Sequence, residues 1–438
     1  MGVRFGIWAA TTAAMMAATA ASAAPSAPAA TAQTPRAVVD RVARLIEDDY
    51  VHPDQARRIA ADLRQAAKAG AFDKLTDNGD LATALTARLK PIDAHFNVAW
   101  RPPEPAAQEP PRPMMGGPSL ERRRGYGFRR VEILPGNIGY VDLRMFADFE
   151  KADAPAKRAA DAAMAQVADT DAVIIDLRDN GGGAPNMVGY LVSWFTPPGA
   201  DIYNTFHERA GAGVEISKET PPLDNPGPRR LTVPLYVLVS ARTGSAAESF
   251  AYTLQTARRA TIVGETSAGA ANPGQPYDAG GGFSVFISSG EPINPITKTN
   301  WERVGVRPDV AAPSAQALDR AQALALEAVL KTAPADETAD ARWALEALRA
   351  KARPPTGLAL GDYVGAFPPL SLTTEDGKLL LHNGRRPVLT LAPLGVDAFT
   401  VEGEPTRRLT FARDGQGRVV AAKLETSDGS VSRFKRGD

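Results

Sequence analysis

Ser245 stands where an apolar run, Pro234 to Ser240, breaks at Thr243-Gly244 and a helical pattern, Ser245 to Leu254, begins. A helix N-terminus carries roughly half a positive charge and several unpaired N–H groups, so a negative oxygen that develops there is stabilised. A hydroxyl in that position is half of an acyl-transfer site. The same residues also spell an S-x-x-E capping box with Glu248, in which the hydroxyl accepts from the third helical amide and the carboxylate reaches back to the cap. The two roles are compatible.

A second segment with chemical potential is Arg178-Asp-Asn-Gly-Gly-Gly183, which follows an apolar strand and precedes a helix with Pro185 near its first position. Glycines let a backbone approach a ligand closely, and successive N–H groups can form an anion-binding nest. A tight turn needing positive φ is the plainer reading. The phosphate-loop and dinucleotide glycine patterns are absent, so an oxyanion hole fits better than a nucleotide cradle. By spacing alone His95, in Asp93-Ala-His-Phe96, is a structural polar residue and Glu302 a surface carboxylate.

Composition narrows the chemistry further. Cysteine is absent, which removes disulfides, thiolate metal sites and thiol nucleophiles together. The 4 histidines, His52, His95, His207 and His382, are dispersed without ligand spacing. No metal site and no cofactor is therefore expected, and histidine chemistry must rest on a single imidazole. Fifty basic residues balance 50 acidic ones, so no net field draws the chain to nucleic acid or an anionic membrane.

The elements that must carry these residues follow from periodicity. Arg4, the apolar stretch Ile7 to Ala21 and Ala21-Ser-Ala23 predict a secretory signal over 1–23, cleaved after Ala23, hence a periplasmic or secreted product without stable membrane insertion. Helical spacing from Val38 to Ile46, Ala56 to Ala69 and Leu81 to Leu89 predicts a helical domain over 34–98, and the Pro-rich run after it a linker over 99–128. Over 129–335 apolar strands alternate with helices: a hairpin Val131–Leu134/Ile138–Leu143, a helix from Pro155, a strand Ala172–Leu177, a helix Met187–Phe195, Leu235–Val239, the Ser245 helix and Ala260–Val263. That alternation predicts an α/β core with parallel pairing. A helical connector over 336–354 leads to a β-barrel-like antiparallel domain over 355–438, with Asp-Gly turns at 376, 414 and 428.

Four ordered motifs carry a resemblance: Asp176-Leu-Arg-Asp-Asn-Gly-Gly-Gly183, Thr243-Gly-Ser-Ala-Ala-Glu-Ser-Phe-Ala-Tyr252, Gly264-Glu-Thr-Ser-Ala-Gly-Ala-Ala-Asn-Pro-Gly274 and Trp301-Glu-Arg-Val-Gly-Val-Arg-Pro-Asp309. Together they resemble the C-terminal-processing peptidase and tricorn-core family of serine peptidases. Tyr50-Val-His-Pro53 and the closing D-x-H-F resemble its interphotoreceptor retinoid-binding protein-like branch. The resemblance implies a crotonase-like α/β catalytic core and assigns Ser245 as nucleophile. The lysine that the processing peptidases use falls here on Ala270, which excludes a Ser-Lys dyad at its usual place. The tricorn-like alternative maps the base onto His95 and its orienter onto Glu302, while that site's additional serine corresponds to Ala94. No PDZ module fits between the helical and catalytic parts.

The resulting expectation is an exported serine endopeptidase acting on peptide or protein substrates through an acyl-enzyme on Ser245. His95 serves as base, Glu302 orients it, and the amides of Gly182 and Ala246 form the oxyanion hole. Oligomeric state is left open. The competing expectation is a non-catalytic binder of an apolar ligand on the same fold, suggested by the retinoid-binding branch and by Ala270 and Ala94.

Overall fold

The structure, a computed structural model, describes residues 34–102, 118–211, 213–218, 225–334 and 338–437. The expected signal segment 1–23 and most of the Pro-rich run lie outside the described residues.

Six strands form the central sheet in the order Val310–Ala311, Thr261–Gly264, Leu235–Val239, Ala172–Asp176, Ile138–Leu143, Phe128–Leu134. All neighbours are parallel except the last pair, an antiparallel hairpin. Gly136 and Asn137 make its turn with φ of 82° and 57°, the two positive values that a tight hairpin needs. Because side chains alternate along a strand, the buried strands feed two cores. Val141, Leu143, Val173, Ile175, Val237 and Val239 face the helices Pro155–Gln166, Pro185–Ser193 and Ala246–Thr256. Ile138, Tyr140, Ala172, Ile174, Tyr236 and Leu238 face Ala317–Thr332 and Ala339–Ala352. The core is thus a three-layer α/β/α sandwich.

The helices Pro35–Asp49, Pro53–Lys68 and Asn78–Leu89 present Val38, Val42, Ile46, Ile59, Leu63 and Leu85 to one another. They do not close a core alone. A hairpin from the downstream segment, Gly274–Gly280 and Phe283–Ser288, inserts Ala279, Phe283, Val285 and Ile287 into the same cluster. Asn97–Trp100 extends that hairpin, pairing antiparallel with Phe283–Phe286. The expected linker over 99–128 is corrected accordingly: its first residues complete this strand, Pro118–Arg123 is helical, and Phe128 already belongs to the central sheet. The helical layer and the α/β core are interleaved at the point where His95 lies.

A small sheet of Gly290–Ile293, Thr205–Ala210 and Gly213–Lys218 was not anticipated from the sequence. Beyond Gly365 eight strands form an antiparallel meander. Gly437 donates to Ala366 O at 2.9 Å, bringing the last residues back to the first strand so that the sheet nearly closes as a barrel. Tyr363, Phe367, Leu381, Phe399, Leu409 and Phe411 fill it. No helix among the described residues is long and apolar enough to cross a membrane.

Candidate active site

Ser245 sits at the N-cap of Ala246–Thr256 with φ 53° and ψ −123°, a region that a residue with a Cβ rarely occupies. Such strain persists only where the surroundings over-determine it, and here they do. Thr243 Oγ1 donates to Leu177 O at 2.7 Å and Gly244 N to Asn180 O at 3.0 Å, which clamps the turn onto the glycine loop. Ser245 itself is exposed while Thr243, Gly244, Ala246 and Ala247 around it are buried. The geometry therefore presents one hydroxyl to solvent from a rigid corner.

The carboxylate half of the expected capping box forms, with Ser245 N donating to Glu248 Oε2 at 2.8 Å. Glu248 does more than cap. It is wholly buried and also accepts from the Ser267 hydroxyl, from Gly269 N at 2.6 Å and from Ala270 N at 2.9 Å. The next two amides of that loop, Ala271 and Asn272, donate to Glu302 Oε2 at 2.9 and 3.2 Å. One loop thus binds two carboxylates, tying the serine corner to Glu302. Ala270, the position of the missing lysine, contributes its backbone only, and Ala94 is exposed.

His95 ends the helical layer, two residues before the strand Asn97–Trp100. Its Nδ1 lies 3.4 Å from Glu302 Oε1, so the structure brings these two predicted residues together. A nearer carboxylate was not singled out by sequence reasoning: Asp93 Oδ1 is 3.1 Å from Nδ1 and also accepts the His95 backbone N–H at 2.8 Å. The two-residue D-x-H spacing of such a local side-chain-to-backbone bond was the available signal. With Nδ1 turned to the carboxylates, Nε2 is left as the basic nitrogen. Among the described residues no hydrogen bond joins His95 to the Ser245 hydroxyl.

Electrostatics follow from these contacts. The Asp93 hydrogen bond holds the imidazole above the ordinary histidine range; burial pulls it down, and the charges of Glu302, Asp93 and Glu248 raise it again. Burial pushes the Glu302 carboxyl up, against the opposing pull of His95 and of the Ala271 and Asn272 amides. Burial also acts to raise Asp93, but the side-chain and backbone donors of His95 outweigh it and keep that carboxyl low.

The expected oxyanion pair needs one correction. Among the described residues Ala246 N, at the first turn of its helix, has no hydrogen-bond acceptor, but Gly182 N donates to Asn180 Oδ1 at 2.8 Å and is not free. Gly182 is instead the close-approach residue: a Cβ on it would lie 2.7 Å from Ser245 Cβ. The following residues pair with Phe146, which donates to Gly182 O and accepts from Ala184 N. In a parallel bridge the intervening Gly183 N–H points away from the Phe146 strand segment.

Residues 137–312 match the sequence pattern of peptidase family S41, and residues 17–122 match that of the N-terminal domain of Peptidase S41 in eukaryotic IRBP. Residues 137–312 form a peptidase family S41 segment. The family S41 segment contains the glycine loop, Ser245, Glu248 and Glu302, and the N-terminal match contains Asp93 and His95. Carboxyl-terminal-processing peptidase 1, chloroplastic, of Arabidopsis thaliana is 27% identical over 186 residues, covering 42% of this chain and 35% of that protein. The chain thus spans about a third of the length of this curated relative. Among solved structures, a photosystem II D1 C-terminal processing protease is similar with TM-score 0.32 and 24% identity, over 40% of this chain and 42% of that one. A lipoprotein from Streptococcus agalactiae is similar with TM-score 0.43 and 13% identity, over 68% of this chain and 97% of that one.

Proposed function

We propose that this chain is an exported serine endopeptidase with a crotonase-like core, which hydrolyses peptide bonds through an acyl-enzyme on Ser245. The observation that carries the reading is the pairing of an exposed, conformationally strained serine at a helix N-terminus with an imidazole whose Nδ1 is held by carboxylates. His95 Nε2 takes the hydroxyl proton as Oγ attacks the substrate carbonyl, and Glu302 stabilises the imidazolium that forms. The carbonyl oxygen becomes an oxyanion, stabilised by Ala246 N–H and Gly183 N–H; Gly182 supplies the close approach and not the donor. Collapse breaks the C–N bond, the imidazolium returns its proton to the leaving amine, and water repeats the sequence to free the acid. Because no Ser245–His95 hydrogen bond exists in this state, the contact tightens when substrate binds, as apo sites commonly require. Peptide or protein substrates follow from the family assignment. Export rests on the segment Arg4 to Ala23. The ligand-carrier reading gains no support from an imidazole held between two acids, for which a carrier has no use.

The test is covalent labelling by a fluorophosphonate. Wild-type protein should label stoichiometrically, with Ser245→Ala blank and His95→Ala slowed by about 10²-fold or more. Labelling that persists in Ser245→Ala removes the proposal.

A further inference from the structure

We propose that Asp93 is a second positioning residue for His95, sharing its Nδ1 proton with Glu302, so that two carboxylates from different parts of the chain hold one imidazole. This rests on the peptidase reading above. Of the two acids, only Asp93 makes a hydrogen bond to Nδ1, at 3.1 Å; Glu302 Oε1 stands 3.4 Å away and is buried without a hydrogen-bond partner among the described residues. One N–H cannot serve both fully, and in this state Asp93 has it.

The two acids are also held differently. Asp93 belongs to the same turn as His95: its N–H donates to Leu89 O, its carbonyl accepts from Phe96 N, and its Oδ1 takes the His95 amide at 2.8 Å. It therefore orients the ring from within the helical layer. Glu302 belongs to the α/β core, where the Ala271 and Asn272 amides hold its Oε2 and leave Oε1 toward the ring. Asp93 sets the tautomer of His95 beforehand, and Glu302 adds its charge where the two layers meet.

A turn-capping role alone does not account for an aspartate here. Asparagine or serine would cap the same amide, without the cost of a charge whose side chain is only 4% exposed. The charged groups facing the ring are Asp93 from its own turn, Glu302 from the Trp301–Arg303 loop and Glu248 from the serine helix, and Tyr50 faces Asp93 from the end of the first helix. Arg303, the nearest cation in sequence to Glu302, is directed to the carbonyls of Ile92 and Pro91 at 3.3 and 3.2 Å. His95 is thus the group that balances the Asp93 charge.

Asp93→Asn keeps an oxygen for the His95 amide and removes the charge. With only 4 histidines in the chain, the ring resonance of His95 can be assigned by its loss in His95→Ala and titrated by NMR without any substrate. The expected result is a titration midpoint lower by about one pH unit and fluorophosphonate acylation slowed roughly 10–100-fold. The acid limb of kcat/KM should move to lower pH with KM changed less than about twofold. Glu302→Gln should give the same signs, and the double variant should titrate lower than either. Asp93→Ser, which also caps the turn, repeats the measurement should the asparagine variant fold poorly. A His95 midpoint unchanged in both Asp93 variants overturns the inference even if Ser245 labels normally. A wild-type Ser245 that never labels sinks the peptidase reading instead and leaves the titration to judge Asp93.

Discussion

At the scale of single residues the site depends on which protonation states its neighbours favour. His95 must be neutral to accept the Ser245 proton, and its partners hold it above the ordinary value of 6.5. The acid limb of kcat/KM for peptide hydrolysis should therefore have its midpoint above 6.5. A midpoint at or below that value would show that the carboxylates do not act on the free enzyme. Stability runs the other way. The raised His95 contributes fully below 6.5 and its share is lost as pH rises through the folded value; the lowered Asp93 contributes above 3.8 and is lost as pH falls through its own. The pair thus stabilises most between 3.8 and 6.5, while Glu302, raised by burial from 4.5, subtracts above its ordinary value. Activity is expected to peak on the alkaline side of the window in which this contact is strongest.

At the scale of elements, one loop does most of the joining. Residues Gly269 to Asn272 give consecutive amides first to Glu248 and then to Glu302, and Ser267 N and Oγ lock the same loop to Val306. Glu248 is the acceptor on which the serine corner and this loop converge. Removing it leaves several buried donors without a partner, each costing about 1–3 kcal/mol. Glu248→Ala should accordingly lower unfolding free energy by about 3 kcal/mol or more in urea titrations, and abolish Ser245 labelling in the fraction that remains folded. A loss below about 1 kcal/mol would mean that water replaces the carboxylate and that the loop does not depend on it.

At the scale of the whole molecule, the near-barrel docks on helix Ala339–Ala352, whose other face packs under the central sheet. Arg408 makes the contact: its guanidinium lies 4.3 Å over the Trp343 ring and bonds Glu346 Oε2 at 2.5 Å. A half-desolvated cation–π pair contributes about 1–2 kcal/mol, added to the packing of the same helix against the near-barrel strands. Arg408→Ala should leave Ser245 labelling within about twofold, because its contacts are with Trp343 and Glu346 and not with the site. It should also speed proteolytic cutting around residues 353–359. Cutting at the wild-type rate would show that the strand and helix surfaces suffice without this arginine.

Much of the fold was legible because burial imprints a period on the chain. Ala172–Asp176 and Leu235–Val239 read as strands since both faces are covered, and the eight-stranded tail announced itself through Asp-Gly turns. The hairpin Gly274–Ser288 is hidden in the sequence despite the alternation Phe283, Val285, Ile287, because Gly and Pro interrupt its first strand and because its apolar face serves helices some two hundred residues earlier. By itself the sequence determined the nucleophile candidate, the glycine loop and the layered architecture, all of which are local patterns. Tertiary structure alone decided that Gly182 N–H is engaged, that Asp93 stands nearer His95 than Glu302 does, and that Glu248 and Glu302 share one loop. Those are questions of which of several adequate donors and acceptors meet, and only packing between distant segments fixes distances of a few tenths of an ångström.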